Sequence, residues 1–133
     1  MSTPSSRAEV GLKVVHRRYV SFAQAHYAGN LVDGAWGLGL FGDVATEMCI
    51  RTDGNEGLFA SYADVQFLAP VHAGDLVEAS ATLVRVGRRS RELDFALLVL
   101  ARGDGDATAA ATMLPEPIVA TTATGTVVVP HAE

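Results

Sequence analysis

From Ala35 to Ile50 the chain runs sixteen residues with only two charges, Asp43 and Glu47, and with three glycines, Gly37, Gly39 and Gly42. The pattern predicts a helix ending near Cys49, with Thr52, Asp53, Gly54 and Asn55 as its stop signal. Such a helix constrains everything around it. Each glycine costs about 1 kcal/mol relative to alanine in a helix interior, so the segment does not stand by itself. It needs a close cover, and the missing side chains let a backbone or a ligand approach. On a helical wheel Leu38, Phe41, Ala45 and Met48 share one side, and Gly39, Asp43, Thr46 and Glu47 the opposite one.

The rest of the chain reads as strands. Leu12 to Phe22, rich in Val and Tyr, is a first strand, followed by a turn-prone segment from Ala25 to Gly34. After the helix come four long strands: Gly57 to Leu68, Asp75 to Val86, Ser90 to Arg102 and Thr121 to Val129. In the second, Val77, Ala79, Ala81 and Leu83 alternate with Glu78, Ser80 and Thr82. Gly87–Arg89 and Gly103–Gly105 punctuate the strands as turns, and Ala107 to Pro117 reads as a strand end with an irregular crossing. One early helix and a long antiparallel sheet have one economical packing, in which the sheet curls around the helix and encloses it on nearly all sides. The expectation is an α+β chain with the hotdog fold: a curved antiparallel sheet wrapped around one central helix. It forms a single domain over residues 1–133, with 1–10 as a disordered lead-in.

Composition narrows the functional classes. A net charge of −5 argues against a nucleic-acid partner, which wants a basic surface. The apolar runs are too short to span a bilayer, and the N-terminus has no apolar signal core. The single cysteine, Cys49, allows no internal disulfide, suits a reducing cytoplasm and reads as a packed core thiol. There is no Gly-rich phosphate loop and no metal-ligand cluster, so neither nucleotide hydrolysis nor metal catalysis is supported. Asp43 and Glu47, spaced i and i+4, lie side by side on the helix. No Lys or Arg within the stretch relieves their repulsion. If the helix is buried, one acid should hold its proton to unusually high pH, as a proton-transfer catalyst requires. The alternative is a solvated helix face.

Several separated segments resemble known families. Phe67–Asp75, with Pro70, Val71 and Gly74, resembles the strand–turn–strand signature of hotdog thioesterases and related acyl-CoA enzymes. Lys13–His16, Ala25–Val32 and Gly42–Glu47 resemble the β-aminoacyl-CoA ammonia-lyases, which comprise β-alanyl-CoA ammonia-lyase and the 3-aminobutyryl-CoA ammonia-lyase of lysine fermentation. The resemblance continues through Tyr62, Asp64 and Phe67, then Glu116–Pro117 and Ala123–Gly125. Many hotdog thioesterases carry an Asn in the loop before the helix and a catalytic Asp further on. Laid over Gly29–Gly34, that pattern puts His26 where the Asn stands and Phe41 close to the Asp, so the thioesterase acid is missing from its usual place.

The resemblance implies a carbon–nitrogen lyase eliminating ammonia from a β-aminoacyl-CoA such as 3-aminobutyryl-CoA or β-alanyl-CoA, to give an enoyl-CoA, or adding it in reverse. Such chemistry needs a base, a holder for the departing nitrogen, and stabilisation of an enolate oxygen. Glu47 is the first choice of base and Asp43 the second, and the anionic pair also attracts the substrate ammonium. Backbone N–H groups near Gly34, Ala35 and Trp36, at the positive end of the helix, suit the enolate oxygen. His26 or Tyr27 orients the substrate or relays a proton, unless both only fasten the loop. Asn30 and Tyr62 complete the substrate-binding set, with turn formation and cross-strand packing as their alternatives. Coenzyme A enters as part of the substrate, with no separate cofactor. From the cluster of Arg85, Arg88, Arg89 and Arg91, the last three are candidates for its phosphates, against the alternative of a charged strand edge. A homodimer with a continuous sheet, or a hexamer made as a trimer of dimers, would set Asp43 and Glu47 of one protomer against the His26–Asn30 loop of the other. Two other functions fit the fold: an acyl-CoA thioesterase, and a non-catalytic acyl-CoA-binding protein.

Overall fold

The computed structural model describes residues 7–105 and 108–130. Among them are eight strands and one α-helix: β1 (Lys13–Tyr19), β2 (Ala25–Tyr27), β3 (Leu31–Val32), α1 (Gly34–Asp53), β4 (Leu58–Phe67), β5 (Val71–His72), β6 (Leu76–Val86), β7 (Ser90–Gly103) and β8 (Ala111–Val128). Five strands form an antiparallel sheet in the order β1-β6-β7-β8-β4, and β2, β3 and β5 form a small second sheet. One long helix packed along a long antiparallel sheet is the expected hotdog arrangement.

The helix buries Gly37, Leu40, Phe41, Val44, Ala45, Met48, Cys49 and Thr52. This stripe meets the inward residues of β6 (Val77, Ala79, Ala81, Leu83) and β7 (Leu93, Phe95, Leu97, Val99), all of them buried. Phe41 stacks on Phe95 with ring centroids 4.9 Å apart. Burying a side chain of that size is worth about 1.5–3 kcal/mol. Gly37 lets the helix approach the sheet, because a Cβ there would stand 2.9 Å from the Leu97 side chain. Cys49 is fully buried, and loss of hydration pushes its thiol up to about 11, as befits a core residue.

Four expectations need correction. The helix runs one turn past Cys49, because Gly54 is where the backbone turns left-handed (φ 64), closing the helix with an N–H bond to the Ile50 carbonyl. The sheet covers only one side of the helix. Ala35, Gly39, Asp43 and Ile50 stay exposed, with Gly42, Thr46 and Glu47 half-buried beside them. Residues 1–6 lie outside the described residues, but Arg7–Val10 are part of the fold. Ala8 joins the core, and Gly11 and Leu12 continue the pairing of β1 through Leu83. Finally, most of the segment expected as an irregular crossing belongs to β8. Between the Val99–Ile118 and Ala101–Met113 pairs, Leu100 of β7 lies opposite Leu114–Pro117 of β8. The two prolines, which cannot donate to a ladder, are absorbed in that bulge. Asp106 and Ala107 lie outside the described residues.

β4 forms one edge of the large sheet and is widely exposed. Leu58, Phe67 and the adjoining Leu68 are 77%, 59% and 60% exposed. The Phe67–Asp75 motif that follows it is a structural clamp. Gly74 takes φ 87 in the turn, and the buried Asp75 accepts the His72 N–H and two bonds from Arg102 at 2.9 Å each.

Candidate active site

Alternation along β1 turns Val14 and His16 toward α1 while Val15 faces outward. His16 Nε2 thereby meets Glu47 Oε1 at 2.7 Å, across 31 residues of sequence. From the helix itself, Arg51 Nε donates to Glu47 Oε2 at 2.8 Å. The His16 hydrogen bond first and the Arg51 hydrogen bond second hold the Glu47 carboxyl below its ordinary value of 4.5, against a weaker opposing effect of burial. The expectation of a proton-holding acid therefore fails at Glu47. Arg51 lies one residue outside the Ala35–Ile50 stretch and one turn along the helix from Glu47, where it offsets the like charge of Asp43. Asp43 stands on the exposed stripe one turn toward the helix start.

A cavity of about 500 Å³ lies at that start, lined by Tyr27, Asp33, Gly34, Ala35, Trp36 and Phe67, among others. Gly34 opens the helix against the Phe67 ring, which stands 2.5 Å from where a Cβ would be, so a larger residue there would have to displace that ring. Asp33 is the N-cap residue but makes no side-chain cap bond. Of the first-turn N–H groups, that of Trp36 donates to the Asp33 carbonyl at 3.2 Å, while Gly34 and Ala35 bring theirs to a site open to a ligand. Tyr27 is 57% exposed, and its ring meets His26 edge-on with centroids 4.7 Å apart. Asn30, left-handed at φ 59, lines a different cavity of about 470 Å³ with Tyr19, Phe22, His72 and Gly74. The fold thus gathers Tyr27, Gly34, Ala35 and Trp36, and sets Asn30 apart from them. Glu47 is thirteen residues along the helix from Gly34, roughly 20 Å at 1.5 Å per residue.

Residues 31–98 match a family model described as the thioesterase superfamily. The chain is 46% identical over 121 residues to a 3-aminobutyryl-CoA ammonia lyase of Acetoanaerobium sticklandii, covering 90% of this chain and 95% of that protein. The chain belongs to the β-aminoacyl-CoA ammonia-lyase family. Among solved structures, the β-alanyl-CoA:ammonia lyase from Clostridium propionicum superposes with a TM-score of 0.86 at 37% identity, over 91% of this chain and 87% of that one. A hexameric hotdog fold thioesterase of Campylobacter jejuni superposes at 0.71 with 18% identity, over 85% and 79%. That second likeness is one of fold alone.

Within this ammonia-lyase scaffold some expected site residues are already engaged. Tyr62 donates its hydroxyl to the Leu38 carbonyl at 2.8 Å and packs on Phe59 at 4.3 Å, while burial pushes its phenol up. These contacts are those of the packing alternative. Arg91 is corrected: it is buried, pairs with Asp53 through two bonds of 2.7 and 3.0 Å, and donates to the Gly87 and Ser90 carbonyls. A phosphate cannot reach it. Arg88 and Arg89 remain exposed at the β6–β7 turn, and Arg85 pairs with Glu92. Phe41, at the position of the missing thioesterase acid, is wholly buried.

Two site neighbours escaped the sequence reading as functional residues. Arg51 carried a readable signal, its i+4 spacing from Glu47. His16 lay within the Lys13–His16 block of the family resemblance, but nothing local assigned it to Glu47, because that contact depends on which strand packs beside the helix.

Proposed function

We propose that the chain is a carbon–nitrogen lyase that eliminates ammonia from a β-aminoacyl-CoA such as 3-aminobutyryl-CoA or β-alanyl-CoA, giving the enoyl-CoA, or adds ammonia in the reverse direction. The observation that carries this reading is a pair of acids, Asp43 and Glu47, on the uncovered face of a helix in a chain 46% identical to a 3-aminobutyryl-CoA ammonia lyase. A pair of carboxylates there suits a substrate whose β-carbon bears an ammonium.

Glu47 serves as the base and takes the proton from the carbon next to the thioester. The electron pair left behind spreads onto the thioester oxygen, where the helix N-terminal N–H groups of Gly34 and Ala35 stabilise the enolate, with Trp36 lining the same cavity. The pair then forms the carbon–carbon double bond as the carbon–nitrogen bond breaks and neutral ammonia leaves. Ammonia departs from an ammonium without a separate acid, so Asp43 serves to hold that group. The proton on Glu47 passes to the released ammonia as ammonium, and the base is restored. Tyr27 orients the substrate at the cavity, with His26 beside it, and Arg88 and Arg89 meet the coenzyme A phosphates. Coenzyme A arrives with the substrate and no further cofactor is invoked.

The roughly 20 Å between the helix start and Glu47 exceeds the few ångströms between a thioester oxygen and its α-carbon. A complete site therefore takes its helix start from one protomer and its acids from another, in a homodimer or a hexamer built as a trimer of dimers. The free β4 edge, with Leu58 and Phe67 exposed, is where a second sheet would continue. Tyr27, which lines the helix-start cavity, would then face the acids of the partner. No helix among the described residues is long and apolar enough to cross a membrane, and the chemistry suits the cytoplasm.

A thioesterase reading draws support from the superfamily match. Incubation with β-alanyl-CoA and 3-aminobutyryl-CoA separates the two. Ammonia release with the thioester intact supports the lyase, and free thiol without ammonia would sink it in favour of hydrolysis. Binding with neither product would leave an acyl-CoA-binding protein.

A further inference from the structure

We propose that His16 is a positioning residue for the lyase reaction: with its proton on Nε2, it donates to Glu47 Oε1 and fixes that carboxylate in one orientation as the base. The inference rests on the lyase reading of Glu47. A carboxylate can only accept, so the 2.7 Å contact assigns the proton to Nε2. The other ring nitrogen, Nδ1, is buried and meets no polar partner among the described residues. Nε2 is thus the ring nitrogen through which His16 reaches the carboxylate.

The carboxylate is held from two sides, by His16 from β1 at Oε1 and by Arg51 from its own helix at Oε2. Each oxygen keeps one further lone pair, and the side chain is 35% exposed, so the group is fixed without being closed off. Other charges near Glu47 are few. Asp43 lies one turn before it, and Arg18, two residues along β1 from His16, is exposed and donates to the Arg17 carbonyl. The residues that β6 turns to the helix are apolar, as are Ala123 and Val127 of β8. From β7 Arg91 faces the helix but is taken by Asp53, and from β4 Tyr62 is taken by Leu38. Among the described residues, His16 is thus the one donor that the sheet supplies to the base. It acts in the same direction as Arg51, favouring the charged form beside the like charge of Asp43.

The test compares His16→Leu, which cannot donate, with His16→Gln, which keeps an amide donor. Two readouts are taken: kcat/KM against pH with 3-aminobutyryl-CoA, and the carboxyl 13C titration of Glu47 in the free protein. In His16→Leu the acid limb of kcat/KM and the titration midpoint both move up in pH, because the larger of the two hydrogen bonds that hold the carboxyl down is gone. At neutral pH kcat falls about tenfold with KM little changed, and His16→Gln restores most of both. If His16→Leu does not fold, His16→Asn, too short to reach Oε1, takes its place with the same expectation. An unmoved midpoint in a folded variant, in a protein whose wild type releases ammonia, overturns the role of His16 alone. Failure of the wild type to release ammonia overturns the lyase reading instead, whatever the titration gives.

Discussion

Helix α1 carries two acid–cation clusters, and they differ in one respect above all. At its last turn Asp53 grips Arg91 through two hydrogen bonds, with both side chains at most 3% exposed. The Thr52 hydroxyl, in turn, donates to the same carboxylate at 2.6 Å. Midway along, Glu47 is also held by two donors, but its side chain is 35% exposed and Asp43 stands open one turn away. Both clusters are made of common charged side chains. The first is dry and its groups are committed to the fold. The second keeps lone pairs within reach of a ligand, which is the condition for binding an ammonium or exchanging a proton. Burial of the surroundings, more than residue type, separates a staple from a site.

The largest effect that would sharpen this contrast is at Arg91. Its replacement by Ala leaves Asp53 buried and unpaired, and should destabilise the fold by about 3–5 kcal/mol, read from urea unfolding. The folded fraction should keep a normal pH profile. A profile that shifted would mean the two clusters are coupled, and the contrast would break. Next come Glu47→Gln and Asp43→Asn. Each should lower kcat/KM for 3-aminobutyryl-CoA by at least about 10²-fold while changing unfolding free energy by less than about 1 kcal/mol. Near-normal turnover in both variants would end the site assignment.

A smaller effect belongs to the coenzyme A end. Replacing Arg88 and Arg89 together by Ala should raise KM about tenfold with kcat unchanged, and the salt dependence of KM should flatten. The smallest effect concerns stability. The folded protein holds the Glu47 carboxyl below its ordinary value of 4.5. Its stabilising contribution is therefore present above that pH and disappears as pH falls through the folded value. Unfolding midpoints of wild type and Glu47→Gln should differ slightly at neutral pH and converge in acid. Divergence in acid would contradict the His16 and Arg51 bonds.

Much of the fold was legible because its signals are local. The strict alternation from Val77 to Leu83 announces a strand with one buried face, and Gly54 stands where the helix end takes φ 64, which a glycine adopts without strain. The Pro115–Pro117 segment announced an irregularity, yet nothing local told that the strand resumes on the other side of it. Reading the acid pair as unrelieved erred for a similar reason. The window closed at Ile50, one residue short of Arg51, and His16 lay on a strand whose place beside the helix was not visible.

The sequence by itself determined where the helix and the long strands lie, which face of each is apolar, and which family the chain resembles. Those properties follow from periodicity and from blocks of residues read in order. Only the tertiary structure decided which charges are paired: that Arg91 is sealed against Asp53, that Tyr62 is spent on Leu38, and that His16 and Arg51 keep Glu47 charged. The physical reason is that ionisation depends on distance and burial, and His16 reaches Glu47 from 31 residues away only once the sheet has closed on the helix.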